Sequence, residues 1–207
     1  MIEVVIITFV FVWIKGYKRE MFDLFKHWSI YPIILTCIFQ IYSIYMIIQG
    51  DYWFLKYSKY IEITSLLFYF ALIWEYNLMD ISILKTLNMV YKNKIIIWLT
   101  SPVTIGGLFI FIGSKLNQMV MFYNGNKMPV FVSNSWATGY IKPNMFIELS
   151  KYGDSHVFGD QYTKLIPLTN IWDVGFMSFS IGDLMIRVFV VLILYYSIKS
   201  QQVINNS

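Results

Sequence analysis

Apolar residues gather along this chain in five runs, at about 1–14, 28–49, 61–84, 95–113 and 181–198, parted by short polar stretches and one long one. A helix rises ~1.5 Å per residue, so the second, third, fourth and fifth runs approach a hydrocarbon layer of ~30 Å. The first reaches only ~21 Å. It must extend into Gly16 and Tyr17, thin the bilayer or insert incompletely. The second run carries Pro32 in its opening turn, where proline is tolerated, and ends at Gly50 and Asp51. Glu75, Asn77 and Asp80 interrupt the second half of the third, so those side chains should face protein or water. Pro102 and the pair Gly106-Gly107 permit a bend or close helix approach in the fourth, which can continue as a helix through Tyr123. From Ser114 to Asn170 the chain turns polar and rich in Gly, Asn, Pro and Asp. Ser180 followed three residues later by Asp183 reads as a capping box, placing the start of the last helix near Ile181. The pattern predicts an all-α, polytopic integral membrane protein: a single membrane domain over 1–207 with about five transmembrane helices and one long extracytoplasmic loop, about 114–170.

Composition strengthens this reading. Of 207 residues 57% are hydrophobic and only 14% charged, whereas a soluble domain needs roughly a quarter charged to wet its surface. The opening run has its positive residues, Lys15, Lys18 and Arg19, behind its apolar core, opposite to a cleaved signal, and is therefore retained as a span. Lysine and arginine are dense after the first run (Lys15, Lys18, Arg19, Lys26) and the third (Lys85, Lys92, Lys94), and sparse after the second (Lys56, Lys59). The positive-inside rule then puts the amino terminus outside and the carboxyl terminus, with Lys199, in the cytoplasm. Trp13, Trp28, Trp53, Trp98 and Trp172 fall near predicted span ends, as an interfacial aromatic belt requires. The Ile, Lys, Asn and Tyr bias suggests an AT-rich genome, so the expected location is a bacterial cell membrane, with membrane lipid as a partner and a partner subunit or second copy as another. A net charge of +4 is too small and scattered for nucleic-acid binding. The single cysteine, Cys37, excludes an intrachain disulfide and a cysteine zinc cluster.

Among residues that could carry chemistry, Arg187 stands six residues into the last apolar helix and needs a counter-charge. Asp183 precedes it by four on the same helix face, and Glu75 should lie at similar depth, so Glu75, Asp183 and Arg187 are expected to form an intramembrane ion cluster that docks helices or handles ions. The stretch NGNKMPV, Asn124 to Val130, combines a turn with an extended Pro129; it is either a loop re-entering the interface through Met128, Val130 and Phe131 or a ligand clamp. His156 has Asp154 and Asp160 as neighbours, a combination open to base chemistry but short of a metal set. Ser133, Ser135, Ser150 and Ser155 are the serines that could share its side of the membrane. No phosphate loop, GxSxG elbow, HExxH or CxxC is present, and neither a metal nor a cofactor is expected.

Three blocks in the carboxyl-terminal half resemble a family of small bacterial membrane proteins, domain of unknown function 5317: NGNKMPV, the stretch from His156 through Thr163, Leu165 and Leu168 to Asp173, and SFSIGDLMI at Ser178 to Ile186. The linker from Asn170 to Phe179 departs from the family's more Gly-rich, basic or proline-containing pattern. The resemblance implies a five-span fold rather than an activity. It also implies that Asn124, Gly125, Met128, Pro129, His156, Asp173, Ser180, Gly182 and Asp183 gather near the outer membrane face.

Three functions are expected from these residues. The first is a non-enzymatic protein binding a lipid, peptide or partner subunit through Asn124, Gly125, Met128, Pro129, Ser180, Gly182 and Asp183. The second is a small transporter or ion-handling protein using Glu75, Asp183 and Arg187. The third is a membrane-embedded enzyme acting on a lipid or prenyl carrier, with His156, Asp160 or Asp173 as acid or base.

Overall fold

The computed structural model describes residues 2–51, 53, 57–81, 83, 93–151 and 156–205. Lys56, Lys85, Lys92, Asp154 and Ser155 lie outside them, as do the side chains of Lys59 and Ser150. The chain is mostly helical: α1 (Ile2–Ile14), α2 (Lys18–Leu24), α3 (Tyr31–Gln49), α4 (Ser58–Glu75), α5 (Lys94–Leu99), α6 (Pro102–Tyr123), α7 (Asn134–Ala137), α8 (Met145–Ser150) and α9 (Ile181–Asn205). Short strands β1 (Met128–Val130), β2 (His156–Phe158), β3 (Trp172–Asp173) and β4 (Ser178–Phe179) occupy the polar segment before α9. Three helical stretches, Trp28–Gln49, Pro102–Tyr123 and Ile181–Gln201, are long and apolar enough to cross a membrane; Ile2–Ile14 and Ile63–Glu75 are apolar but shorter.

Helix ends obey local chemistry. After α1 the amides of Gly16 and Tyr17 donate to the carbonyls of Trp13 and Val12; Gly50 and Asp51 repeat this pattern with Ile47 and Met46 after α3. Both glycines sit at positive φ, +90° and +84°, a backbone that costs a side-chain-bearing residue free energy.

Two helices expected from the apolar pattern have different bounds. The one expected over 61–84 ends at Glu75, because Asn77 takes the left-handed conformation (φ 48°) and Leu78–Asp80 form a separate 3-10 turn. The one expected over 95–113 divides. Asn93 caps α5 by accepting from the Ile95 amide at 2.9 Å, and Pro102 starts α6 instead of bending a longer helix, since it lacks an amide and disfavours helix in the residue before it. Ser101 Oγ accepts from the Thr104 amide at 3.1 Å at that new start. Residues 114–123, the helical extension allowed for the fourth run, complete α6.

The chain forms two compact units. One comprises Met1–Ile38, Glu62–Ile110 and Arg187–Ser207. Its core takes Val4, Val5 and Val12 from α1, Tyr69, Leu72 and Ile73 from α4, and Val190, Ile193, Leu194 and Ile198 from α9, each set spaced to line one helical face. Gly106 lets α6 approach α9 here: a Cβ on it would stand 3.2 Å from Phe189 Cα.

The other unit comprises Phe39–Ile61 and Phe111–Ile186. Its buried centre is Ile47, Ile141 and Met145, with Phe39, Met46, Val132, Tyr140 and Phe146 around them. Parallel β1 and β2 align Met128 with His156 and Val130 with Phe158. Antiparallel β3 and β4 align Trp172 with Phe179.

Candidate functional site

The NGNKMPV stretch is a buried strand with its turn, not a free loop. Met128 and Val130 are buried, and β1 is bonded on both sides: to β2 along one edge, and to Asn170 along the other, where the Asn170 amide donates to the Pro129 carbonyl (3.1 Å) and the Phe131 amide to the Asn170 carbonyl (2.9 Å). Gly125 and Asn126 make the preceding turn at positive φ. Asn124 fastens it across forty residues: its Nδ2 donates to the Lys164 carbonyl (3.0 Å) and its Oδ1 accepts from the Lys164 amide (2.9 Å). All these groups serve the backbone, which explains a motif dense in Asn and Gly.

Asp173 organises the next turn. Its Oδ2 accepts the amides of Ser133 and Ser135, both at 2.8 Å; its Oδ1 accepts the Gly175 amide at 3.0 Å and the Ser135 hydroxyl. Burial would raise this carboxyl's pKa, but the Ser135 hydroxyl and the three amides outweigh it and hold the group below its usual range. With both oxygens engaged it is an acceptor in use rather than an available base. Asp160, exposed, accepts from the Tyr162 amide (2.9 Å) and the Thr163 hydroxyl (3.2 Å) in a turn of its own.

At the start of α9 the capping box is formed: the Ser180 amide donates to Asp183 Oδ2 (2.9 Å) and the Asp183 amide to Ser180 Oγ (3.0 Å). Asn117 of α6 completes it, donating to Asp183 Oδ1 and accepting from the Ser180 hydroxyl, both at 2.8 Å. Gly182 makes this contact possible, because a Cβ there would lie 2.6 Å from the Gly113 carbonyl. Asn117 and Asn124, seven residues apart, thus use one face of α6 to hold the helix start and the strand turn.

Glu75, Asp183 and Arg187, expected as one cluster, each have a partner outside that set. Arg187 Nε donates to Glu3 Oε1 at 2.7 Å. Glu75 Oε1 lies 2.8 Å from His27 Nδ1, while its Oε2 is buried with no hydrogen-bond partner among the described residues. His27 packs edge-on against Tyr76, whose hydroxyl accepts from Gln201. Glu75 is the last residue of α4, whereas Arg187 lies six residues past the start of α9 and meets a carboxylate of the first helix.

Within the second unit lies a cavity of about 200 Å³. Ile47, Val130, Ile141, Met145, Phe146 and Met177 form apolar walls; Tyr140, His156, Asn170 and Ser178 bring polar groups. Asn170 is only 4% exposed, and its Oδ1 has no hydrogen-bond partner among the described residues. Such an oxygen costs about 1–3 kcal/mol when left unpaired. Of the residues singled out from sequence, His156 lines the cavity and Met128 and Pro129 support its Val130 wall. Tyr140, Asn170, Met177 and Ser178 were not foreseen. Asn170 and Ser178 stand inside or beside the blocks that carry the family resemblance, the one signal that pointed near them.

A mostly helical chain with three membrane-length apolar helices and a folded polar segment ahead of the last is the class these features define. The chain belongs to a family of unknown function, DUF5317, whose profile matches residues 78–195, over half its length. That match includes α6, all four strands and most of α9. No curated protein and no solved structure matches the chain.

Proposed function

We propose that this is a non-enzymatic, multi-pass protein of a bacterial cell membrane. In this reading α1, α3, α4, α6 and α9 are its five membrane segments, the amino terminus is outside and the carboxyl terminus cytoplasmic. The segment between α6 and α9 is an extracytoplasmic cap that binds the end of a lipid, a peptide or a partner subunit. One observation carries the binding reading: a mostly apolar cavity is lined by Asn170, whose buried amide oxygen lacks a donor among the described residues, a combination that suits a ligand's apolar group with one N–H or O–H. The carboxylates of Asp160 and Asp173, held by local donors, argue against the reading as an enzyme on a lipid or prenyl carrier. Ion handling draws support from Glu75 Oε2, buried and unpaired among the described residues, although Asp183 and Arg187 have other partners.

The test is native mass spectrometry of the full chain purified in mild detergent. Wild type should carry a bound species that is lost from Asn170→Leu, which removes the acceptor, and from Met145→Trp, which fills the cavity. Identical adducts on all three proteins would dispose of the cavity as the binding site.

A further inference from the structure

A second site lies near the amino terminus, where α1 meets α2. The two helices are joined through Gly16 and enclose a groove of about 490 Å³ whose walls, including Phe9, Trp13, Met21, Phe22 and Phe25, are apolar. Two edge-on aromatic contacts shape it, Trp13 with Phe22 (centroids 6.1 Å apart) and Phe9 with Phe25 (5.6 Å). The rim is basic. Lys18 Nζ stands 4.5 Å above the ring of Trp13, one of the groove walls, and has no carboxylate partner among the described residues. Asp23 is taken by Lys26 at 2.6 Å, leaving Arg19 at 3.9 Å from the same group.

We propose that this groove binds an anionic phospholipid, one acyl chain lying along the aromatic walls and the phosphate held by Lys18 and Arg19. Three features select this occupant. A peptide would leave its backbone amides without partners against walls that offer almost no polar surface. A second copy of the chain, meeting this one groove to groove, would bring two basic rims together. Hydrocarbon needs no partner, and a lipid phosphate supplies the missing counter-charge for Lys18 beside the Trp13 ring. The site is independent of the cavity beside Asn170.

Trp13 lines the groove and reports on it. The full-length protein is reconstituted in vesicles containing brominated phosphatidylglycerol or brominated phosphatidylcholine, and the Trp13 signal is isolated by subtracting Trp13→Phe. Each cation near an anionic headgroup contributes on the order of fivefold, so quenching should show a preference of about tenfold or more for phosphatidylglycerol. That preference should fall towards parity in Lys18→Gln/Arg19→Gln and, for wild type, in high salt. Equal quenching by the two lipids in wild type means an ordinary lipid annulus and overturns the proposal. So does a preference that survives both the charge removal and the salt.

Discussion

Replacing Asp173 by asparagine tests whether the cap is held together by one carboxylate. Asp173 accepts four hydrogen bonds, two backbone amides on Oδ2 and an amide with a hydroxyl on Oδ1. An asparagine can keep only one of these oxygens. With its oxygen facing Ser133 and Ser135, its NH₂ faces the Gly175 amide donor to donor, and the Ser135 hydroxyl must reverse to accept. A hydrogen bond to a charged group is worth about 1.5–3 kcal/mol; partial exposure of Asp173 brings the expected cost to about 2 kcal/mol, or roughly a thirtyfold rise in local opening. Hydrogen exchange followed by mass spectrometry should show that acceleration in peptides spanning 133–139 and 173–178, with the α9 core around Ile193 unchanged. The dependence on acid has a definite sign. Because the folded-state carboxyl lies below its ordinary value, its stabilisation is fully present above the unfolded-state value of ~3.9 and disappears as pH falls through the depressed folded-state value. Unaltered exchange at both peptides in Asp173→Asn would refute the idea that this carboxylate fastens the cap.

Further substitutions probe the helix contacts. Gly182→Ala places a Cβ 2.6 Å from the Gly113 carbonyl and should lower stability by about 1–3 kcal/mol; Gly107→Ala, with nothing within 4 Å, should leave it equal or up to ~1 kcal/mol higher, both read from thermal unfolding in detergent. Glu3→Ala deprives Arg187 of its carboxylate, both side chains being less than a fifth exposed, and should cost about 2 kcal/mol, below the ~3–5 of a fully buried pair. Adding Arg187→Leu to Glu3→Ala should recover most of that loss by chemical denaturation, and a double variant as unstable as the single one would refute the pairing.

Much of the helical frame was legible because apolar runs and caps are local. Ser180 and Asp183 announced the start of α9, and the structure forms that capping box with both bonds. Tertiary partners were less legible. Arg187 advertised a need for a counter-charge, but its pairing with Glu3 at the far end of the chain has no local signal, and the end of α4 rests on a left-handed Asn77 whose neighbours are too apolar to mark it. Pro102 illustrates the same ambiguity, since a proline within an apolar run is compatible with a kink or with a new first turn. Ser101, able to cap a helix that begins at Pro102, was the signal for the second. The Asn170 cavity had no such signal, because its walls come from α3, α8, both sheets and the loops between them, and no sequence spacing records that convergence.

The polar groups noticed first in the sequence have fastening roles, and this narrows where function can reside. Asn117 and Asn124 on one face of α6 bind the start of α9 and the Lys164 backbone; Asp173 binds three amides; Arg187 binds Glu3. A side chain whose hydrogen-bonding capacity is filled within the fold has little left to offer a ligand. Asn170 differs in kind. Its backbone amide and carbonyl complete the pairing of β1, while the residue lines a mostly apolar cavity and its buried side-chain oxygen has no donor among the described residues. The strand network therefore positions an acceptor that it does not itself use, and that separation of backbone duty from side-chain availability is the physical basis for placing ligand recognition in the cap.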